Sequence, residues 1–228
     1  MLDVKVDLFA GEINKMYRLA IPVKLQGQYR GQTAFGTQPL YMNGRECVAQ
    51  RFVYVKGESK CLALLNKGTY GSKFLDSTME MSLLRTATYC THPCRDRQLL
   101  PLDRYTQKID LEERNFTFRL CVTDEENLER LSQEFTTPPY ALNVFPIERH
   151  QSVKDFAIGL TNKNIALTTF KKAIGKDEYI LRLFNNSDKN TECEVALTDK
   201  KISLCFKPFE AKTIVYNGTL CETEEMLV

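Results

Sequence analysis

Apolar and polar residues alternate along this chain with a period of two in most stretches and near 3.6 in one. The segment Cys61–Tyr89, CLALLNKGTYGSKFLDSTMEMSLLRTATY, shows the pattern most fully. Leu62–Leu65 is an unbroken apolar run of the length expected for a strand covered on both faces. Asn66-Lys67-Gly68 and Gly71-Ser72 then supply residues that tolerate left-handed backbone, so the chain turns. Met79, Met81 and Leu83 alternate with Glu80 and Ser82, which predicts a strand with one face on a core. Counted in twos, Arg85 closes that strand on the face of Leu83, although a charge does not belong in a core. A guanidinium so placed is either paired at the rim or aimed at a ligand.

Read in order, the chain opens on Val4, Val6 and Leu8 alternating with Asp3, Lys5 and Asp7, an amphipathic strand. MYRLAIPVKL continues the β pattern, and Pro22 pushes its strand toward an edge or a bulge. Gly27, Gly31 and Gly36 punctuate a polar stretch that predicts a long loop or an irregular strand. Asn43-Gly44 predicts a hairpin, followed by strands at Cys47–Ala49 and Phe52–Val55 and a turn at Lys56–Ser59. The proline- and charge-rich run after Tyr89 reads as a surface loop. Gln107–Val122 reads as a strand with Phe116, Phe118 and Leu120 on one face. Leu128, Leu131 and Phe135 then fall at helical spacing, predicting one short amphipathic helix near 124–135. Thr123 and Glu126 have the form of a capping box, Asp124, Glu125 and Glu126 suit a first turn, and Pro138-Pro139 stops the helix. A domain junction is expected near 146–152. Beyond it, Phe156–Leu160, Ile165–Phe170, Tyr179–Phe184, Cys193–Leu197, Ile202–Phe206 and Lys212–Tyr216 recur as short strands between turn residues, the cadence of a small antiparallel sandwich. The expected architecture is all-β, with a larger domain over 1–148 and a smaller one over 149–228.

Size and charge narrow the function classes. A chain of 228 residues, 43% apolar, can form one large all-β domain or two ordinary ones. Its 31 basic and 29 acidic residues are interleaved, so no one-signed field suits nucleic acid. No apolar run approaches the roughly 18 residues of a membrane span. The N-terminal strand lacks the basic start and apolar centre of a signal peptide, and the chain reads as a domain cut from a longer protein. Of the eight cysteines, Cys61, Cys121 and Cys205 sit where a small hydrophobe would, which favours reduced thiols and a cytoplasmic setting. In that setting the triplets beginning at Asn115, Asn185 and Asn217 decide nothing about glycosylation.

Candidate chemistry is thin. Cys90-Thr-His92-Pro-Cys94 offers three possible zinc ligands, but structural zinc needs four, usually in two separated pairs, and His150 is the one other histidine. An ordinary loop fits better. Glu112 and Glu113 form a tempting pair for glycosidic chemistry, yet adjacent strand residues point to opposite faces and do not flank one bond. No serine sits in a nucleophile elbow and no glycine-rich phosphate loop precedes a helix. The chain holds no complete catalytic apparatus.

The ordered motifs AFGTQPL…GRECVAQRFVYV (34–55), LALLNKGTYG (62–71), EMSLLRTATY (80–89) and DLEERNFTFRL (110–120) resemble the C-terminal region of family-38 glycoside hydrolases, the α-mannosidases. EYILRLFNNS…FKPFEAKTIVY (178–216) is similar to that family's closing strands, so the resemblance covers nearly the whole chain. It implies the later part of a large, galactose-mutarotase-like β-sandwich, then a small one. It also implies a zinc-dependent retaining α-mannosidase whose metal, nucleophile and acid lie in an N-terminal catalytic domain of the same polypeptide, outside this chain. Within this chain it implies no catalytic residue and no metal, with α-mannoside glycans as the substrate of the parent. Arg85 matches the family arginine that approaches the mannose site, an auxiliary substrate-binding role. Thr86 stands where serine is common and Phe52 where tryptophan is usual. Glu112 replaces a turn glycine, which puts that turn's conformation in question. The rival expectations are an independent carbohydrate-binding β-sandwich module and a purely structural scaffold. The absence of tryptophan and the alternation of most phenylalanines into cores weigh against the first.

Overall fold

A computed structural model describes residues 1–34, 36–87, 110–143 and 157–224. It is all-β apart from one short helix. The chain divides into two compact units, Met1–Gln32 with Pro39–Thr123, and Thr33–Gln38 with Asp124–Val228. The junction expected near 146–152 lies outside the described residues.

The strands up to residue 123 are β1 (Leu2–Phe9), β2 (Met16–Pro22), β3 (Gln28–Thr33), β4 (Gly36–Pro39), β5 (Cys47–Val48), β6 (Phe52–Lys56), β7 (Cys61–Asn66), β8 (Gly71–Leu75), β9 (Thr78–Arg85) and β10 (Glu113–Thr123). They form a six-stranded sheet, in the order β1-β10-β7-β6-β3-β4, and a four-stranded sheet, β2-β9-β8-β5. The apolar run in β7 lies between β10 and β6, with Ala63, Leu64 and Leu65 wholly buried, as a strand covered on both faces requires. Val53, Val55, Leu64 and Phe118 from the first sheet meet Phe74, Met79 and Met81 from the second in one core. Tyr29 spans the two. Its ring stacks on Phe74 with centroids 5.3 Å apart and its hydroxyl donates to Ser72 Oγ at 2.8 Å, while burial pushes the phenol pKa well up.

The peptide groups at the end of this strand and in the turn after it need partners, and the buried side chain of Asn66 supplies them. Its Oδ1 accepts the N–H groups of Gly68 and Thr69 at 3.1 and 3.0 Å, and its Nδ2 donates to the Gln50 carbonyl at 2.8 Å. Gly68 turns at φ 95°, which a side chain would resist.

Several sequence expectations change. Of the two readings of the glycine-punctuated stretch, loop or irregular strand, the structure shows the strand, in two short pieces, β3 and β4. Gly31 is there because a Cβ would meet Leu40 Cδ1 at 2.7 Å and Ala49 Cβ at 2.8 Å. Asn43-Gly44 does not close a hairpin, since the strands on either side, β4 and β5, belong to different sheets. Gly44 donates instead to the Phe74 carbonyl at 3.0 Å. The strand expected from Gln107 begins at Glu113, after Asp110 at φ 57°, and residues 107–109 lie outside the described set. The turn conformation that a glycine would favour thus falls on Asp110, not on Glu112.

The second unit holds α1 (Leu128–Thr136) behind a 3₁₀ turn, Glu125–Asn127. Leu128, Leu131 and Phe135 are buried on one face, as their spacing predicts. The capping box does not form. Thr123 is still in β10, paired with Cys61, and Glu126 reaches Lys163 at 2.8 Å instead. The later strands are β11 (Ile158–Leu160), β12 (Ile165–Lys172), β13 (Tyr179–Asn185), β14 (Thr191–Leu197), β15 (Lys200–Phe206), β16 (Ala211–Tyr216) and β17 (Leu220–Thr223). Sheets β11-β14-β15 and β12-β13-β16-β17 enclose a core of Leu181, Leu183, Val195, Leu197, Phe206 and Ile214, the sandwich the cadence predicts. β17 was not foreseen, although Asn217-Gly218, at the turn before it, signals a reversal. Cys205 is not a core residue: Leu204 and Phe206 point inward and leave it exposed between them. Buried Asn185 at the end of β13 repeats the role of Asn66, donating to the Lys189 and Lys207 carbonyls at 2.8 Å each.

Two stability outcomes follow from these ties. Asn66→Ala takes the acceptor from the buried Thr69 N–H and removes the bonds to exposed Gly68 and Gln50, and should cost about 1–3 kcal/mol. Gly31→Ala overpacks a site bounded by Ala49 and should cost about 1–3 kcal/mol, whereas Gly159→Ala, whose Cβ meets its neighbour at an ordinary 3.5 Å, should cost well under that. Urea unfolding midpoints of the three variants check both.

Candidate functional site

The candidate site is the end of β9. Along this strand Met79 pairs with Ile21 and Met81 with Leu19, all four turned to the core. The register then slips: Arg18 faces Ser82 but Tyr17 faces Leu84, so Leu83 is an extra residue, a β-bulge. Beyond it Arg85 pairs with Met16, which shares its face of β2 with Arg18 and not with Leu19. Arg85 therefore does not continue the core face of Leu83, as a simple count in twos expects. It stands on the outer face, exposed, and among the described residues no carboxylate or carbonyl pairs with it.

What holds Arg85 in place is the next residue. Thr86 is wholly buried. Its Oγ1 donates to the Glu12 carbonyl at 2.6 Å and accepts the Lys15 N–H at 3.0 Å. Its own N–H donates to the Lys15 carbonyl at 2.9 Å, and its carbonyl accepts the Asn14 N–H at 2.7 Å. The β1–β2 loop is thus pinned to the end of β9, with Asn14 at φ 59°. Threonine in place of the common serine keeps the hydroxyl these bonds need. Sequence reasoning noted Thr86 only as a departure.

The same outer face carries a charge network that spacing alone did not reveal, because it joins β2, β8, β9 and the approach to β5. Arg18 lies 3.3 Å from Glu46 and 3.7 Å from Glu80, and Lys73 lies 3.0 Å from Glu80. Ser82 donates to Glu46. Arg18 Nη1 is buried with no partner among the described residues. Arg18 and Lys73 are thus engaged with carboxylates, and Arg85 on the same face is not, among the described residues. An unpaired guanidinium on a fixed strand end can bind an oxygen-rich group from outside.

The other sequence candidates do not join it. Glu112 pairs with Arg114 at 2.8 Å, and Glu113 opens β10 opposite Phe9. Cys90, His92, Cys94 and His150 lie outside the described residues. Among the described residues no group of three His, Cys, Asp or Glu side chains converges to hold a metal, and no helix is long and apolar enough to cross a membrane. A groove of about 730 Å³ in the second unit runs past Glu192, Cys205, Lys207 and Lys212, with Lys212 paired to Glu222 at 2.6 Å.

Comparison with known proteins agrees with this architecture. Residues 1–97 match the family model of the glycosyl hydrolases family 38 C-terminal domain, and residues 164–224 match that of the family 38 C-terminal beta sandwich domain. Among curated proteins, none matches in sequence. Among solved structures, an alpha-mannosidase from Enterococcus faecalis V583 is similar over 92% of this chain, with a TM-score of 0.74 and 15% identity. A glycosyl hydrolase family 38 protein from Enterococcus faecalis is similar over 92% as well, with a TM-score of 0.71 and 14% identity. At such identities the likeness is one of fold. The chain spans 27% of the length of each. Fold, motif order and both family models lead to one assignment: this chain belongs to the family-38 glycoside hydrolases, as part of their C-terminal β region.

Proposed function

We propose that this chain is the non-catalytic C-terminal portion of a retaining, zinc-dependent α-mannosidase, and that Arg85 helps complete the site for a terminal mannoside. The observation that carries the reading is the state of Arg85, an exposed guanidinium with no partner among the described residues, held by a buried, four-fold hydrogen-bonded Thr86. Two supports stand beside it. EMSLLRTATY is the strand that resembles the family's arginine-bearing motif, and one similar solved structure is an alpha-mannosidase. Zinc, nucleophile and acid belong, in this reading, to an N-terminal catalytic domain of the same polypeptide. The described residues here do not fit a metal, and no step is assigned to one.

What this chain contributes is a fixed cation. Arginine presents a planar fork of N–H donors that fits a carboxylate or vicinal hydroxyl oxygens and stays charged throughout the working pH range. Held at the edge of a site, it binds sugar oxygens or steadies negative charge as it develops. Buried thiols at Cys47, Cys121 and Cys193, none in a disulfide among the described residues, support a cytoplasmic setting for the polypeptide.

The test uses the polypeptide that joins this chain to a catalytic domain. Arg85→Ala should lower kcat/KM on an aryl α-mannoside about 100-fold, the loss typical of one active-site donor, with Arg85→Lys in between. The thermal midpoint should stay put, because Arg85 is exposed and has no partner to lose among the described residues. Thr86→Val should reduce turnover by releasing the strand end, and Thr86→Ser should retain it. Unchanged turnover in Arg85→Ala would leave the region a structural scaffold. The chain alone should neither hydrolyse the aryl mannoside nor bind mannose at millimolar concentration in a calorimetric titration; binding there would favour a carbohydrate-binding module.

A further inference from the structure

Asparagine stands directly before glycine at Asn43-Gly44 and at Asn217-Gly218. Such a pair can react with itself. The glycine backbone nitrogen reaches the asparagine Cγ and closes a five-membered ring, because no Cβ hinders the approach. The surroundings decide the rate, and they differ between the two pairs.

At Asn43-Gly44 the attacking nitrogen is occupied. The Gly44 N–H donates to the Phe74 carbonyl at 3.0 Å, and a Cβ on Gly44 would meet Leu75 Cδ2 at 3.2 Å. At Asn217-Gly218 neither restraint applies. Asn217, Gly218 and Thr219 are all exposed, in the connection between β16 and β17. The Gly218 N–H donates to no group among the described residues. Chain neighbours aside, nothing described stands within 4 Å of where a Gly218 Cβ would be. The carbonyl under attack is also polarised, since Thr219 Oγ1 donates to Asn217 Oδ1 at 3.1 Å. A hydroxyl placed there steadies the negative charge that gathers on Oδ1 as the nitrogen adds to Cγ. Asn43 Oδ1 likewise accepts the Arg45 N–H at 3.2 Å, so the two nitrogens make the difference.

We propose that Asn217-Gly218 is a self-modifying site, where asparagine converts to isoaspartate without an enzyme, and that the change loosens β17. Solvent base removes the Gly218 amide proton, and the nitrogen forms a bond to Asn217 Cγ. The Cγ–Nδ2 bond breaks, and Nδ2 takes a proton from solvent and leaves as ammonia. One water then opens the succinimide. Breaking the new N–Cγ bond yields aspartate. Breaking the bond from Gly218 N to the Asn217 main-chain carbonyl carbon yields isoaspartate, with the chain now running through Cγ. Isoaspartate thus adds one atom to a short connection whose ends are paired at Tyr216 and Leu220. β17 is the outer strand of its sheet, and its Glu222 holds Lys212, which lines the groove, at 2.6 Å. Loosening β17 therefore frees that lysine. The site depends on no catalytic domain and holds whether or not the parent cleaves mannosides.

Ageing the purified chain at mildly alkaline pH tests this, with peptide mass spectrometry that separates isoaspartate from aspartate. Asn217 should convert at least about tenfold faster than Asn43, the factor set by one hydrogen bond that must first break. Thr219→Val should slow the conversion about threefold. Equal rates at Asn217 and Asn43, or a faster Asn43, would overturn the site. A Thr219→Val chain that ages like the parent would overturn the part given to the hydroxyl. Hydrogen exchange reads the strand. The β17 amides bonded to β16 should exchange at least about tenfold faster in the isoaspartate form than in Asn217→Asp. That variant brings the same charge without the added backbone atom, and equal exchange in the two forms would overturn the loosening.

Discussion

A strand buried on both faces needs partners for the peptide groups where it ends, and in the first unit the buried side chain of Asn66 supplies them. One carboxamide accepts two turn N–H groups and donates to the Gln50 carbonyl in the β5–β6 connection, while the Asn66 N–H bonds to the Arg51 carbonyl at 2.9 Å. Arg51 and Gln50 in turn bond to Gln32, so the ends of β3, β6 and β7 meet in a single polar knot. Buried polar groups of this sort stabilise only when every lone pair and proton is matched. That explains why the residues around the turn form an unbroken motif, and why the knot can sit beside an apolar core. The second unit solves the same problem with Asn185, which serves the Lys189 and Lys207 carbonyls and Ser187. Its Nδ2 is held inside the fold, so the sequence triplet it begins is not an open acceptor for a glycan.

Stability of these ends matters for the site because the site is a strand end. β9 is clamped by β2 on one side and β8 on the other, and its last turn is tied to the β1–β2 loop through Thr86. A cation carried on such an element keeps its position without a partner of its own. Pairing it within the chain, as Arg18 and Lys73 are paired, would hold it just as well but would occupy its donors.

Much of this was legible from residue order. The apolar run Leu62–Leu65, the alternation at Met79–Leu83, the helix spacing at Leu128–Phe135 and the C-terminal cadence all report burial, and burial is what periodicity encodes. The misreadings share a different origin. Asn43-Gly44 and Thr123–Glu126 carry genuine local preferences, but local preference cannot say which sheet the next strand joins, or that a capping residue is still occupied in a ladder. Gly31 left its stretch open between a loop and an irregular strand, because sequence does not show that Ala49 will approach it. Arg85 could be selected by motif and by its odd place in an alternating strand. Its face could not, since one extra residue at Leu83 inverts the count.

That inversion bears on how the region divides its labour. Without the bulge, Arg85 would point toward Leu83 and the core, where a guanidinium needs a buried carboxylate and is lost to solvent. With it, the same backbone that packs Met79 and Met81 inward delivers a charge outward at its tip. The bulge sits where the strand leaves the well-covered centre of the sandwich for the side where Val4, Val6, Leu19 and Ile21 are half-exposed. Core, opening and cation are thus placed along one strand and its neighbours. An element that is rigid in its middle and open at its end suits a part that completes a site in company with other parts, rather than one that forms a site alone.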